Sequence, residues 1–440
     1  MKQTAISIVK RLREAGHVAY FNGGCVRDMV RGVEPQDIDI ATSATPEQVQ
    51  ALFTKTVPVG VAFGVVLVLE NEHQFEVATF RSDEAYIDGR RPTSVRYGSP
   101  EEDARRRDFT INGLLYDPIA DQIIDFVGGR ADIERKLVRT IGEPRERFAE
   151  DKLRLLRCVR FAANLKYEIE TATFEAVKEM AAQIHVVSAE RIRDELIKIL
   201  TRPHAGRGLE LLDTSGLLQE ILPEIAAMKG VEQPPEFHPE GDVFKHTRLM
   251  LDTLPANPSL VLAFAVLLHD VGKPPTFVRA PDRIRFNEHD RMGAEMTEAI
   301  LRRLRFSNDQ IEKIVLCVRD HMKFQFVKEM RQAKLKRLMA RETFPDELEL
   351  HHIDCASSHR NLESYEFLKA KAAEMPPEVL KPAPLLTGHD LLALGLKPGP
   401  SVGQILHEVE ELQLEERLKT RAEALEFAKS RVARQDGAPT

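Results

Sequence analysis

Cysteine is scarce in this chain. The four cysteines among 440 residues, Cys25, Cys158, Cys317 and Cys355, are far apart and form no Cys-x-x-Cys pair. That excludes a disulfide framework and a zinc knuckle, and leads us to expect a reducing, cytoplasmic setting. Long apolar runs are also missing. The stretches at 59–69 and 260–268 fall well short of the roughly 20 residues that span a bilayer, so no membrane partner is expected. The first segment carries Lys10, Arg11, Arg13 and Glu14 without an apolar core ending in a small-residue cleavage site, and export is not expected. Positive charge is in deficit: 62 Lys+Arg against 69 Asp+Glu leaves −7 at pH 7. A general basic coat is thereby excluded, and any nucleic-acid partner must be held by local basic patches. No internal repeat or long low-complexity tract is present.

With 43% hydrophobic and 30% charged residues the chain can bury sizeable cores. At about 150 residues per domain, its length predicts roughly three packing units. The first 130 or so residues alternate between helical and extended patterns: a helix over 5–15 stops at Gly16, and short strands follow at 18–21, 64–69 and 75–80. From Ile133 onward strand signals vanish, apart from a possible extended piece at 137–141. Helical periodicity takes over at 153–165, 172–184 and 189–200. Pro-Gly-rich breaks at 233–241, 273–281 and 376–384 divide the remainder. The expected organisation is an α/β head over 1–132, an all-α neck over 133–225, a helical body over 226–370 and a helical tail over 371–440.

The first chemical constellation is Gly23-Gly24-Cys25-Val26-Arg27-Asp28 followed by Asp37-Ile38-Asp39. Two glycines after a strand let backbone N–H groups approach a triphosphate, and Arg27 adds positive charge. The strand period of two puts Asp37 and Asp39 on one face and both isoleucines on the other. A carboxylate pair of this kind, completed by Glu76 on a neighbouring strand, suits Mg²⁺ and an in-line phosphoryl displacement. Taken singly, each piece reads more readily as an ordinary turn or a solvated strand end. In this order and spacing they resemble the nucleotidyltransferase superfamily that includes DNA polymerase β.

Arg106-Arg107-Asp108-Phe109-Thr110-Ile111-Asn112 is similar to the signature of the bacterial tRNA nucleotidyltransferase and poly(A) polymerase family. The resemblance implies that Arg107, Asp108 and Asn112 contact the ribose and phosphates of the incoming nucleotide. The stretch 125–133 matches the family's connector between head and neck, read here as a hinge. Glu150-Asp151-Lys152-Leu153-Arg154, continuing to Arg157 and Arg160, resembles the family's template motif. Asp151 and Arg154, three apart on a helix, are expected to share a face and read a base edge. The element at 188–196 resembles a bracing helix, with Glu190 and Arg191 in structural roles. A polar stretch at 88–97 with the core Asp88-Gly89-Arg90-Arg91-Pro92 corresponds to the family's flexible loop for adenosine addition.

A second constellation comprises His246, His269-Asp270, His289, His321 and Asp354. Imidazole and carboxylate together suit Mn²⁺, Ni²⁺, Fe²⁺ or Zn²⁺. The order resembles the HD phosphohydrolase superfamily, with His289 and His321 at the positions that accompany a two-metal site. The resemblances together imply an RNA enzyme adding C and/or A from CTP and ATP to the tRNA 3′ end, with no DNA partner and a possible hydrolase body. Two alternatives stay open: a poly(A) polymerase on general RNA, and a phosphohydrolase or RNA-binding protein with an inactive head.

Overall fold

The computed structural model describes residues 1–60, 64–83, 95–236, 238–239 and 241–436. The chain divides into two compact units. The first comprises Met1–Ala227 with Pro255–Asn257 and Arg303–Phe306, and the second takes the rest.

The first unit opens with α1 (Lys2–Glu14), which buries Ala5, Ile8, Val9 and Leu12 at helical spacing. Next come β1 (Ala19–Asn22), α2 (Gly24–Val30), β2 (Asp39–Thr42) and α3 (Pro46–Leu52), then β3 (Thr56–Gly60), β4 (Val65–Glu70) and β5 (His73–Thr79). The short strands β6 (Arg81–Asp83) and β7 (Val95–Tyr97) pair with each other. The Asp88–Pro92 core of the expected loop lies outside the described residues. A capping box of Ser99 and Glu102 starts α4 (Pro100–Arg105), followed by β8 (Leu114–Asp117), β9 (Gln122–Asp125) and α5 (Gly129–Glu134). Seven strands form one sheet in the order β3-β4-β5-β2-β1-β8-β9. Among the described residues of this sheet, only the β2–β5 pairing is parallel.

The helical part of this unit runs β10 (Leu137–Val138), α6 (Pro144–Glu150), α7 (Leu153–Leu165), β11 (Glu168–Ile169), α8 (Thr171–Met180), α9 (Ala189–Leu200), α10 (Ala205–Thr214), α11 (Leu217–Ile221) and α12 (Pro223–Ala226). The expected helices at 153–165 and 189–200 have those bounds, whereas 172–184 is divided between α8 and a 3₁₀ turn over Ala181–Val186. Strands do not vanish here: β10 pairs in parallel with β11. Two-residue strands are too short to show a period, which is why the pattern missed β11.

The second unit contains α13 (Val243–Thr253), α14 (Leu260–Leu268), a hairpin of β12 (Phe277–Arg279) and β13 (Ile284–Phe286), α15 (His289–Arg303), α16 (Asn308–Asp320), α17 (Gln332–Met339) and α18 (Phe344–Ser357). It ends in α19 (Glu363–Glu374), α20 (Pro377–Leu380), α21 (Gly388–Ala393), α22 (Pro400–Leu414) and α23 (Arg421–Asp436). The hairpin begins within the 273–281 break and is a further departure from the expectation that strands end after Ile133. The apolar run at 260–268 is α14, buried from Leu262 to Leu268 as a helix hydrophobic on all sides must be. No helix among the described residues is long and apolar enough to cross a membrane. Toward its C-terminal end the unit has two separate apolar clusters, one around Phe324 and Leu368 and one around Leu391, Ile405 and Ala424.

Candidate active site and metal centre

Strand register assembles the head site. Asn22 of β1 pairs with Asp39 of β2, so the Gly23 turn sits beside that carboxylate. Gly23 has φ 69°, and a Cβ built there would lie 3.0 Å from Arg107 Nη1, so glycine permits both the turn and the close approach of the guanidinium. The parallel pairing Ile40↔Val77 then brings Asp39 alongside Glu76. Ile38 and Ile40 are buried while Asp37 is exposed, so the alternation holds, but β2 begins at Asp39 and Asp37 precedes the strand.

Asp37 and Glu76 act on Asp39. Burial, followed by the charges of Asp37 and Glu76, raises Asp39 to about 6, and Arg107 works against the shift. Like charge concentrated around one weakly offset carboxylate is the electrostatic condition a divalent cation relieves. Among the described residues, however, these carboxylates do not form a group with three ligand atoms within 4.8 Å. Both groups at that spacing lie in the second unit.

The Arg-Arg-Asp segment is organised by Asp103, which the sequence reading missed. Buried at 2% exposure, its carboxylate accepts from Arg106 and Arg107 at 2.7 and 3.0 Å. The i,i+3 and i,i+4 spacing was the available signal. Asp108, expected at the ribose, has both oxygens occupied within the protein. Oδ1 accepts from the Phe109 N–H at 2.9 Å and Asn112 Nδ2 at 3.1 Å, and Oδ2 from Arg157 Nε at 2.7 Å. Asn112 Oδ1 in turn accepts from Arg27 Nη1 at 2.9 Å. Burial alone would raise the Asp108 carboxyl, but Arg157, Asn112 and Arg154 outweigh it and hold it at about 2. The chain Arg27–Asn112–Asp108–Arg157 thus ties α2 and the signature segment to α7. The Phe161 ring lies 5.5, 5.3 and 4.0 Å from the guanidinium carbons of Arg27, Arg157 and Arg160.

The expected shared helical face of Asp151 and Arg154 is not formed. Asp151 occupies the break between α6 and α7 with extended backbone (φ −146°). Its carboxylate accepts from the Leu153 N–H at 3.0 Å and from Arg191 at 2.7 Å. Arg154 is buried and donates to Glu150 and to the carbonyls of Arg147 and Arg106 at 2.9 and 3.2 Å. Arg191 braces Asp151 as expected. The acidic brace of α9 is Glu195, which is buried and bonded to Arg160, whereas Glu190 is exposed. Burial lowers Arg160 and the Glu195 charge opposes that shift.

The connector read as a hinge is a multiply bonded turn. The Asp125 carboxylate accepts from the N–H groups of Val127, Gly128, Gly129 and Arg130 at 2.8–3.0 Å. A Cβ at Gly129 would collide with the Thr110 carbonyl oxygen, and fully buried Asp132 binds Thr110 Oγ1 at 2.6 Å and Arg139 Nε at 3.0 Å.

In the second unit all six expected ligands converge, as two groups: His246, His269 and Asp354, then Asp270, His289 and His321. His269, His289 and His321 each place Nδ1 on a backbone carbonyl, of Val266, Phe286 and Val318 at 2.9, 2.9 and 2.6 Å. A carbonyl only accepts, so each Nδ1 carries the proton and each Nε2 presents a lone pair. The Nε2 atoms of His289 and His321 face one another at 3.3 Å, and His269 Nε2 lies 3.1 Å from Asp270 Oδ2. Burial, with the neighbouring His289 and His269 charges, pushes His321 down to about 4, so its ring is neutral at pH 7. Facing lone pairs on neutral rings repel unless a cation lies between them, and the donor set therefore fits metal. A cavity of about 620 Å³ opens onto Asp270, His289, His321 and Asp354.

Comparison with known proteins gives three domain matches: the Poly A polymerase head domain over residues 19–139, the "Probable RNA and SrmB-binding site of polymerase A" over 166–229, and tRNA nucleotidyltransferase domain 2 over 290–428. The chain is 45% identical over 211 residues to the CCA-adding enzyme of Streptococcus pyogenes serotype M3, covering 48% of this chain and 52% of that protein. It thus spans about half the length of the curated relatives it matches. The structure resembles the Bacillus stearothermophilus CCA-adding enzyme in complex with CTP, with TM-score 0.74, 27% identity and 99% of each chain covered. The Thermotoga maritima CCA-adding enzyme complexed with tRNA-CCA shares the fold at TM-score 0.57 and 19% identity, over 97% of this chain and 94% of that one.

Proposed function

We propose that this chain, whose segments match the head, RNA-binding and second domains of the tRNA nucleotidyltransferase and poly(A) polymerase family, adds C and A from CTP and ATP to the tRNA 3′ end with its first unit. The observation that carries this reading is the single locus where the Gly23 turn, Arg107 and the mutually repelling Asp37, Asp39 and Glu76 meet. Asp37, Asp39 and Glu76 are the residues that would hold Mg²⁺, which when bound neutralises charge on the triphosphate and lowers the pKa of the RNA 3′-hydroxyl. Gly23 and Gly24 let the phosphates approach the backbone, while Arg27 and Arg107 supply positive charge. Asp108 and Asn112 keep Arg27 and Arg157 in place. Asp151 and Arg154 reach a base edge by exchanging their partners Arg191 and Glu150, beside Arg157 and Arg160 around the Phe161 ring. The RNA 3′-oxygen attacks the α-phosphate and pyrophosphate leaves, with positioning and charge supplying most of the rate.

The second unit acts as a phosphohydrolase of HD type. Its two ligand groups suit Mn²⁺, Ni²⁺, Fe²⁺ or Zn²⁺, which when bound would supply an activated water for a phosphate ester such as a 2′,3′-cyclic phosphate at a damaged tRNA end. The facing Nε2 atoms of His289 and His321 favour this second reading. The test of the pair is selective: Asp39→Ala abolishes nucleotide addition and spares hydrolysis, and His321→Ala does the reverse. Addition surviving Asp39→Ala would overturn the head assignment. No release from a cyclic phosphate with added Mn²⁺ or Ni²⁺ would overturn the second.

A further inference from the structure

A groove of about 890 Å³ lies on the first unit where α2, α5, β10 and the end of α7 meet, away from the nucleotide locus. Val30, Leu165 and Tyr167 line it along with Arg31, Arg130, Lys136 and Lys166, and Glu134 is its one carboxylate. Arg31 is paired with Asp28 at 3.1 Å and lies 5.9 Å from the Tyr167 ring. Arg130, Lys136 and Lys166 are exposed, and among the described residues none has an ion-pair partner.

Local structure accounts for these three cations only in part. Lys136 and Lys166 have φ of 55° and 56°, a left-handed conformation where glycine or asparagine is less costly. Arg130 lies in the first turn of α5, the end of a helix where a cation is electrostatically disfavoured. At Lys166, the C-cap of α7, the helix end favours a cation although the left-handed backbone does not favour lysine, and Arg130 carries its charge against the field of its helix. The frame beneath is fixed: the Lys136 carbonyl accepts from Glu168 N–H at 2.9 Å, and the Arg130 N–H is bonded to Asp125 at 3.0 Å.

We infer that this groove is a docking surface for the phosphodiester backbone of the RNA substrate, upstream of the growing 3′ end. The inference rests on the RNA-directed activity proposed above. In a chain of net charge −7, three unpaired cations around one concavity are the local patch a polyanion requires. The seven residues of α2 place the groove about 10 Å from the Gly23–Gly24 turn at ~1.5 Å per residue, or about three nucleotides of strand rise.

The test compares the full chain with a variant carrying Arg130→Gln, Lys136→Asn and Lys166→Asn, asparagine being chosen because it tolerates the left-handed backbone. Binding of tRNA ending at the discriminator base is followed over a range of KCl concentrations, with steady-state addition from CTP alongside. The expected result is at least about tenfold weaker tRNA binding, with a salt slope shallower by roughly two to three. KM for tRNA rises, while KM for CTP and kcat at saturating tRNA stay unchanged. Unchanged affinity and slope would overturn the inference, as would a lowered melting temperature at full RNA affinity, which would mean structural charges only. Loss of polyglutamate binding with RNA binding intact would assign the groove to an acidic protein instead. Should the unaltered chain add no nucleotide to any RNA, the proposed activity itself fails, an outcome distinct from these.

Discussion

Arg157→Met removes the donor that holds the buried Asp108 carboxylate. Asp108 is 6% exposed and receives Arg157 through two nitrogens, Nε at 2.7 Å and Nη2 at 2.6 Å. Leaving that carboxylate uncompensated costs about 3–5 kcal/mol. The held value of about 2 against the ordinary 3.8, to which Asn112 and Arg154 contribute beside Arg157, corresponds to about 2–3 kcal/mol at ~1.36 kcal/mol per unit. Because the folded value is depressed, this stabilisation is fully present above the ordinary carboxylate value and is lost as pH falls toward 2. Urea unfolding at pH 7 of the wild type, Arg157→Met, Asp108→Asn and the double variant isolates the pair, with a coupling of about 2–3 kcal/mol expected. The same loss should raise KM for CTP, because Asp108 holds Asn112 and Asn112 holds Arg27. Additivity within about 0.5 kcal/mol would refute the reasoning, and so would a normal KM in a variant that has lost the coupling.

Three other outcomes follow from the geometry. A Cβ at Gly113 would lie 2.7 Å from Val127 Cγ2 and 3.1 Å from Ile141 Cδ1, so Gly113→Ala should cost about 1–3 kcal/mol by overpacking. Val127→Ala should recover most of that in thermal melts. Gly129→Ala, which drives a Cβ into the Thr110 carbonyl, should lower the melting temperature further and reduce addition of both C and A; unchanged melting would contradict the bonded turn. His321→Ala should lower the transition metal retained after dialysis from two equivalents to one, measured by elemental analysis, because only the Asp270–His289–His321 group is broken.

Much of the site was legible because strand and helix periods carry it. The alternation in Asp37-Ile38-Asp39-Ile40 predicts buried isoleucines beside accessible carboxylates, and the register of β2 with β5 brings in Glu76. The six second-unit ligands also converge as expected, since histidine and aspartate at those spacings have few other joint uses. What the pattern hid were partnerships made in space. Glu195 reaches Arg160 from another helix, and Asp132 ties Thr110 to Arg139 across the connector. Asp151 was misplaced because residues 150–154 read as continuous helix, yet its side chain bonds the Leu153 N–H and breaks the run. Lys136 and Lys166 were invisible for a related reason: lysine carries no left-handed signature, so only backbone angles reveal them.

Product length tests the central claim most directly. Transfer RNA ending at the discriminator base is offered with CTP and ATP, separately and together, and the products are resolved at single-nucleotide length. The account predicts two C with CTP alone, termination at CCA with both nucleotides, one pyrophosphate released per addition, and no product from Asp39→Ala. A long A tail on unrelated RNA would contradict it in favour of a general poly(A) polymerase, and no extension of any RNA would remove the polymerising function altogether.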